Sequence, residues 1–145
     1  MLNKLLTVLL IGIFIYAYVG NNPELISSSK DETIASDQLL NVAYQKQKSD
    51  IQIGGEGKVI RVLPDDNEGS RHQKFILRLA SGQTLLVSHN IDLAQRINSI
   101  QEGDKVEFYG EYEWNSKGGV IHWTHHDPAG QHEDGWLKHN GRVYK

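Results

Sequence analysis

From Ile51 onward, apolar and polar residues alternate along the chain, and clusters of glycine and polar residues interrupt the alternation at short intervals. A period of two is the spacing of side chains on a β-strand, because successive residues point to opposite faces of a sheet. The segment Ile91–Ile97 has helical spacing instead, which predicts a short helix between the third and fourth strands. The pattern predicts five strands, at about residues 51–63, 75–79, 85–87, 106–114 and 120–124.

The predicted order of elements, β-β-β-α-β-β, is that of a five-stranded Greek-key barrel of the OB type. Gly54, Gly55 and Gly110 can supply the bends that close a short sheet on itself. We therefore predict a mainly β fold, in which residues 51–145 form a small OB-like barrel with a C-terminal hairpin. A partly open sheet or a small sandwich built from the same strands is the alternative.

The N-terminal region is of a different kind. Leu5–Val19 contains no charged residue and follows Lys4, which predicts a signal peptide or membrane anchor over residues 1–20. Val19 fits poorly at a cleavage site, which favours an uncleaved anchor. Residues 21–36 read as a polar tether, and residues 37–50 as an amphipathic helix that starts near Asp37 and ends near Lys48. The expected location is extracytoplasmic, in the periplasm and anchored to the membrane, or secreted if the leader is cut.

Composition excludes several classes of function. The chain has no cysteine, so disulfides, Cys-ligated zinc sites and cysteine nucleophiles are ruled out. It has 15 Lys and Arg against 18 Asp and Glu, a formal net charge of −3, so no overall positive field attracts phosphate backbones. Nucleic acid is therefore not an expected partner.

Histidine is the unusual residue in this sequence, since five of the seven histidines lie between positions 122 and 139. On a regular strand, His122 and His126 would point outward together about 7 Å apart, a separation that a divalent metal can bridge. The predicted ligands of a zinc ion, or of a similar divalent metal, are His122, His126, Asp127 and His132. His72, in the turn before the second strand, is a further candidate. The competing interpretations are a neutral hydrogen-bonded cluster that packs at the barrel mouth and an acid–base or ligand-binding site without metal.

Several stretches of the chain resemble a known family. These are PDDNEGSRHQKF (64–75), SHNIDLA (88–94), GEYEWN (110–115), GGVIHWTHHDP (118–128) and GWLKHNG (135–141). Together they resemble the bacterial domain-of-unknown-function family 3465 over residues 51–145. The resemblance implies a small bacterial protein that is often secreted or tethered to a membrane. The family has no established activity, so the resemblance implies no catalytic residues.

Three hypotheses about function follow. The first is a non-enzymatic binding module of the cell envelope that presents a His/Trp surface to an unknown ligand or envelope protein. The second is a metal-dependent hydrolase of phosphodiesters or glycans, in which histidines and Asp127 hold an ion that activates water. The third is a structural or assembly partner. The residues expected to form the His/Trp surface are His72, His122, Trp123, His125, His126 and Asp127.

Overall fold

The computed structural model describes residues 23–145, with side chains from residue 28 onward. Contacts divide the chain after Ile34, and the second unit, Ala35–Lys145, contains the C-terminal part of the helix and every described strand. In chain order the elements are α1 (Pro23–Gln45), β1 (Ile51–Val62), β2 (His72–Arg78), β3 (Thr84–Asn90), β4 (Lys105–Glu113), β5 (Val120–His122), β6 (Trp136–His139) and β7 (Arg142–Tyr144).

The first five strands close into a barrel. Neighbouring strands pair in the order β1-β2-β3-β5-β4, and β4 pairs with β1 to complete the circle. The β3–β5 pair is parallel, and the other pairs are antiparallel. The hairpin of β6 and β7 continues the sheet from β4. The prediction of a mainly β fold with a closed five-stranded barrel is therefore confirmed, and the open-sheet alternative is wrong.

The barrel closes because β1 is long enough to pair with two neighbours. Its first part, Ile51–Lys58, pairs with β4, and its second part, Lys58–Val62, pairs with β2 through an irregular register between Val59 and Arg61. A Cβ atom at Gly55 would lie 2.7 Å from the ring of Phe108, so only glycine lets that ring fill the barrel at this point.

Alternate residues of each strand fill the interior. On β2 and β3, every second side chain is buried, as the period-two pattern predicts. Burying each large apolar side chain contributes about 2 kcal/mol relative to leaving it in water. The fully buried side chains include Phe75, Leu77, Leu85, Val87, Val106, Phe108, Tyr112, Ile121 and Leu137.

The predicted helix between the third and fourth strands is wrong. Ile91–Ile97 forms turns, and the Asn90 side chain accepts hydrogen bonds from the amides of Asp92 (2.9 Å) and Leu93 (3.2 Å), which caps a single turn. The apolar residues of this segment do not share a face, since Ile97 is fully buried and Leu93 is 45% exposed. The side chain of Gln73 holds the backbone of Ile97 through two hydrogen bonds of 2.8 and 2.9 Å, so tertiary contacts replace helical ones.

The helix before the barrel begins and ends at other residues than those predicted. It begins at Pro23 and not near Asp37, so residues 23–36, assigned to a polar tether, are helical. Proline suits the first turn of a helix, and the polar residues that follow do not oppose helix formation. The helix ends at Gln45, before Gln47 adopts a left-handed φ of 51°. Asp37, the predicted start of the helix, lies inside it, and its carboxylate accepts a 3.0 Å hydrogen bond from the amide of Ser81.

Within the part of the chain that the structure describes, no helix is both long enough and apolar enough to cross a membrane. The predicted leader over residues 1–20 lies outside the described residues and stays a prediction.

Candidate functional site

A row of polar side chains crosses three strands on the outer surface of the barrel. Gln52 on β1 is the Cα partner of Glu111 on β4, and Glu111 is the partner of His122 on β5. Residues directly opposite each other in antiparallel strands project from the same face. The neighbours Tyr112 and Ile121 are fully buried in the barrel, so the row faces outward.

Two carboxylates and one imidazole converge at this row. Glu113 lies two residues beyond Glu111 on the same face of β4, and together with His122 they offer one ligand atom each, all within 4.8 Å of one another. Nε2 of His122 lies 3.6 Å from a carboxylate oxygen of Glu113. The three side chains are partly buried and partly accessible to solvent. Imidazole and carboxylate oxygens are common ligands of zinc and related divalent ions.

The same row contains buried polar atoms that make no hydrogen bond with any described residue. They are Nε2 of His122 and both polar atoms of the Gln52 amide. Leaving a buried donor or acceptor unsatisfied costs about 1–3 kcal/mol. These atoms are therefore available to a ligand that would bind beside the two carboxylates.

A loop from residue 123 to residue 135 covers one side of this site. Its His132 stacks on the indole of Trp123, with ring centroids 4.0 Å apart and planes 7° from parallel. Nε2 of His132 makes a short hydrogen bond to Glu111, and Nδ1 donates to the carbonyl of Glu133 over 2.8 Å. Because both acceptors are oxygens, the arrangement favours the doubly protonated ring. Burial alone lowers the pKa of His132, but the hydrogen bonds to Glu133 and Glu111 outweigh it and raise this pKa above its usual value.

The pKa of His122 is shifted in the opposite direction, below its usual value. Burial lowers its pKa, and the positive charge of His132 acts in the same direction, while the carboxylate of Glu111 opposes both. At neutral pH the ring is therefore neutral, which is the form of histidine that binds a metal ion.

Asp127 shapes the loop and is not directed at the row. Its carboxylate accepts hydrogen bonds from the amides of Ala129 (3.0 Å), Gln131 (2.8 Å) and His132 (2.8 Å), and these bonds lower its pKa. Three amides held by one carboxylate fix the backbone that presents His132. Asp127 is thus a positioning residue for the loop.

The prediction that His122 and His126 point outward together is wrong. The strand ends at His122, and Trp123 has a left-handed φ of 55°, which breaks the alternation of side chains. Thr124 is fully buried as a consequence, whereas the side chain of His126 is 62% exposed and its Nδ1 lies 2.7 Å from a carboxylate oxygen of Asp134.

The structure divides the predicted site residues into two groups. Of the four predicted metal ligands, it brings His122 and His132 to the carboxylate of Glu111, while His126 and Asp127 have the other partners described above. His125 is buried, and the centroid of its ring lies 5.3 Å from that of Trp123. Its Nδ1 donates a hydrogen bond to the carbonyl of His126 over 2.7 Å.

His72 begins β2, and its Nδ1 lies 2.8 Å from the carbonyl of Ser70. Its neighbour Gln73 is fully buried, so His72 projects from the outer face of β2. Sequence reasoning missed Glu111 and Glu113 as ligands. The available signal was their alternation with Tyr112 and Trp114, which separates an anionic face from an aromatic one.

Comparison with family models finds one that matches residues 24–145, described as "Protein of unknown function (DUF3465)". Comparison with curated proteins finds no match. The family model covers the helix from its second residue and all of the barrel and hairpin, including every residue of the site described above. On this evidence the chain belongs to the DUF3465 family.

Proposed function

We propose that the protein is an OB-like binding module of the bacterial cell envelope and that it binds a divalent cation on the outer face of its barrel. The observation that carries the proposal is the convergence of Glu111, Glu113 and His122, whose ligand atoms lie within 4.8 Å of one another. The ring order β1-β2-β3-β5-β4, with its one parallel pair, supports the OB-like Greek-key topology.

The electrostatics of the site support a cation. Two carboxylates face each other across a partly buried surface, and the one cationic group that contacts them directly among the described residues is His132, which is bound to Glu111. A divalent ion would reduce the repulsion between Glu111 and Glu113 and would engage Nε2 of His122. Three protein ligands leave coordination positions for water or for a bound molecule.

The envelope location is proposed from the N-terminal sequence. Leu5–Val19 supports membrane attachment, with the barrel on the outer side of that membrane. Fractionation of cells that express the full chain should place it with the membranes, and externally added protease should reach it in spheroplasts. Recovery from the cytosol would contradict this part of the proposal.

Cation binding is tested by calorimetry and thermal unfolding of metal-free protein with Zn²⁺, Mn²⁺ and Ca²⁺. A bound ion at about 100 times its dissociation constant should raise the free energy of unfolding by about 2.7 kcal/mol. Glu113→Gln should remove this stabilisation, because it takes away one charged ligand.

Glu107→Gln provides the matched control. Glu107 lies on the same outer face of β4, but it faces Lys138 at 3.7 Å and is outside the ligand cluster. This variant should keep the wild-type response to metal. Equal loss of binding in both variants, or no response of the wild-type protein to any of the three ions, would contradict the cation site.

A further inference from the structure

The polar row does not end at His122. On the outer face, Lys74 of β2 is the Cα partner of Ser88 on β3. The parallel pair aligns Leu86 with Val120 and Val87 with Ile121, and continuing this register by one residue places Ser88 beside His122. Adjacent strands are about 4.8 Å apart, so the Cα atoms of Lys74 and His122 are separated by about 10 Å.

Lys74 and Ser88 project outward, because Phe75 and Val87 next to them are fully buried in the barrel. Within the described part of the chain, neither the ammonium of Lys74 nor the hydroxyl of Ser88 forms an ion pair or side-chain hydrogen bond. The lysine has a long flexible stem, and its ammonium can reach over Ser88 toward the carboxylate end of the row.

The row is therefore polarised. Glu111 and Glu113 make one end anionic, and the ammonium of Lys74 makes the other end cationic. A ligand that spans the row must offer oxygen atoms both to a metal ion and to an ammonium group. A phosphate group meets this requirement, because its several oxygens can be shared between a metal ion and lysine.

We infer that the outer row binds a small phosphate ester, with one phosphate oxygen on the divalent cation and others on Lys74 and Ser88. This inference rests on the proposed cation site. The net charge of −3 and the two glutamates disfavour a polyanionic strand, so the ligand class is a small molecule with a single phosphate group.

The experiment titrates metal-free and Mn²⁺-loaded protein with glycerol phosphate and, separately, with inorganic phosphate, by calorimetry. Mn²⁺ should strengthen phosphate binding about tenfold or more, since it provides one of the ligand's charged contacts. Tighter binding of glycerol phosphate than of inorganic phosphate would identify the ester as the ligand, and the reverse order would overturn that assignment.

Lys74→Met should weaken phosphate binding about tenfold and leave Mn²⁺ affinity within about twofold. Lys58→Met is the matched control, because Lys58 is an exposed lysine on the neighbouring strand at the level of Arg78 and outside the row. It should leave both affinities unchanged. Ser88→Ala, a smaller change, should weaken phosphate binding about threefold and gives a second test that does not depend on the folding of Lys74→Met.

The outcomes separate the two proposals. Normal Mn²⁺ binding with no phosphate binding, or with phosphate binding that neither Lys74→Met nor Ser88→Ala weakens, overturns the phosphate inference and leaves the cation site intact. Absence of Mn²⁺ binding to the wild-type protein overturns the cation site for this ion and the phosphate inference with it.

Discussion

At the scale of single residues, the most strongly perturbed group is a histidine inside the barrel. The ring of His89 is fully buried, and its Nε2 donates to the carbonyl of Gln95 over 3.1 Å. The hydroxyl of Thr124 donates to Nδ1 over 2.8 Å, which completes the hydrogen bonding of a neutral ring. The pKa of His89 is lowered to about 4, mainly by burial and to a smaller extent by the charges of His125 and His72, while the hydrogen bond to the carbonyl of Gln95 opposes the shift.

This shift makes stability depend on pH. The unfolded chain binds a proton at His89 near pH 6.5, whereas the folded chain does so near pH 4, so the free energy of unfolding falls as the pH drops through this window. The stabilisation that comes from the neutral ring is complete above pH 6.5, and the free energy of unfolding is lower by about 3 kcal/mol at pH 4. Urea unfolding at pH 7, 5.5 and 4 measures it. His89→Gln should have a shallower pH dependence than the wild type, and an unchanged slope would contradict the assignment.

The residues of the site were only partly predictable from sequence. The cluster of histidines indicated that His122 and His132 belong to one region, because residue type and spacing are visible in the sequence. The anionic face of Glu111 and Glu113 was visible as an alternation with Tyr112 and Trp114, but its pairing with His122 was not predictable, because it depends on the register between β4 and β5. The departure of His126 from this face was not predictable either, because β5 ends at the left-handed backbone of Trp123, a conformation that a tryptophan rarely adopts and that no local pattern indicates.

At the scale of elements, α1 offers a clean test of helix docking. Leu40 is completely buried, while its neighbour Leu39 is 62% exposed. Leu40→Ala should lower the free energy of unfolding by about 2–5 kcal/mol, since it leaves a cavity in the core. Leu39→Ala should change it by less than about 0.5 kcal/mol. Chemical denaturation of both variants measures the difference, and equal effects would show that the helix does not dock through Leu40.

Strands were easier to predict than helices in this chain. Alternating burial on β2, β3 and β4 follows directly from the sequence pattern, because each of these strands has one face in the core. The segment after β3 had helical spacing but no helix, since Gln73 binds the backbone of Ile97 from another strand. Contacts between distant parts of the chain decided that segment, and a local pattern does not contain them.

At the scale of the whole molecule, closure of the barrel depends on the strand pair with few paired residues, β3 and β5. The parallel β3–β5 pair has two registered residue pairs, whereas β2 and β3 share seven. We expect this seam to open before the rest of the sheet, because fewer hydrogen bonds and contacts hold it.

Hydrogen exchange of the native protein checks this expectation. The amide of Leu86, which donates to Gly119 across the seam over 3.0 Å, should exchange at least tenfold faster than the slowest amides of β2. Equal protection of both sets would show that the barrel opens as a single cooperative unit. Gly119 allows this contact, because a Cβ atom there would lie 2.1 Å from the ring of Tyr112.

The hairpin that continues from β4 affects how readily the protein aggregates at high concentration. Pairing ends at β7, which spans only Arg142–Tyr144 and begins with a charged guanidinium held over the ring of Tyr144. Such a short and charged edge strand offers few free backbone groups to a strand of a second molecule. Concentrated protein should therefore resist fibril growth from this edge.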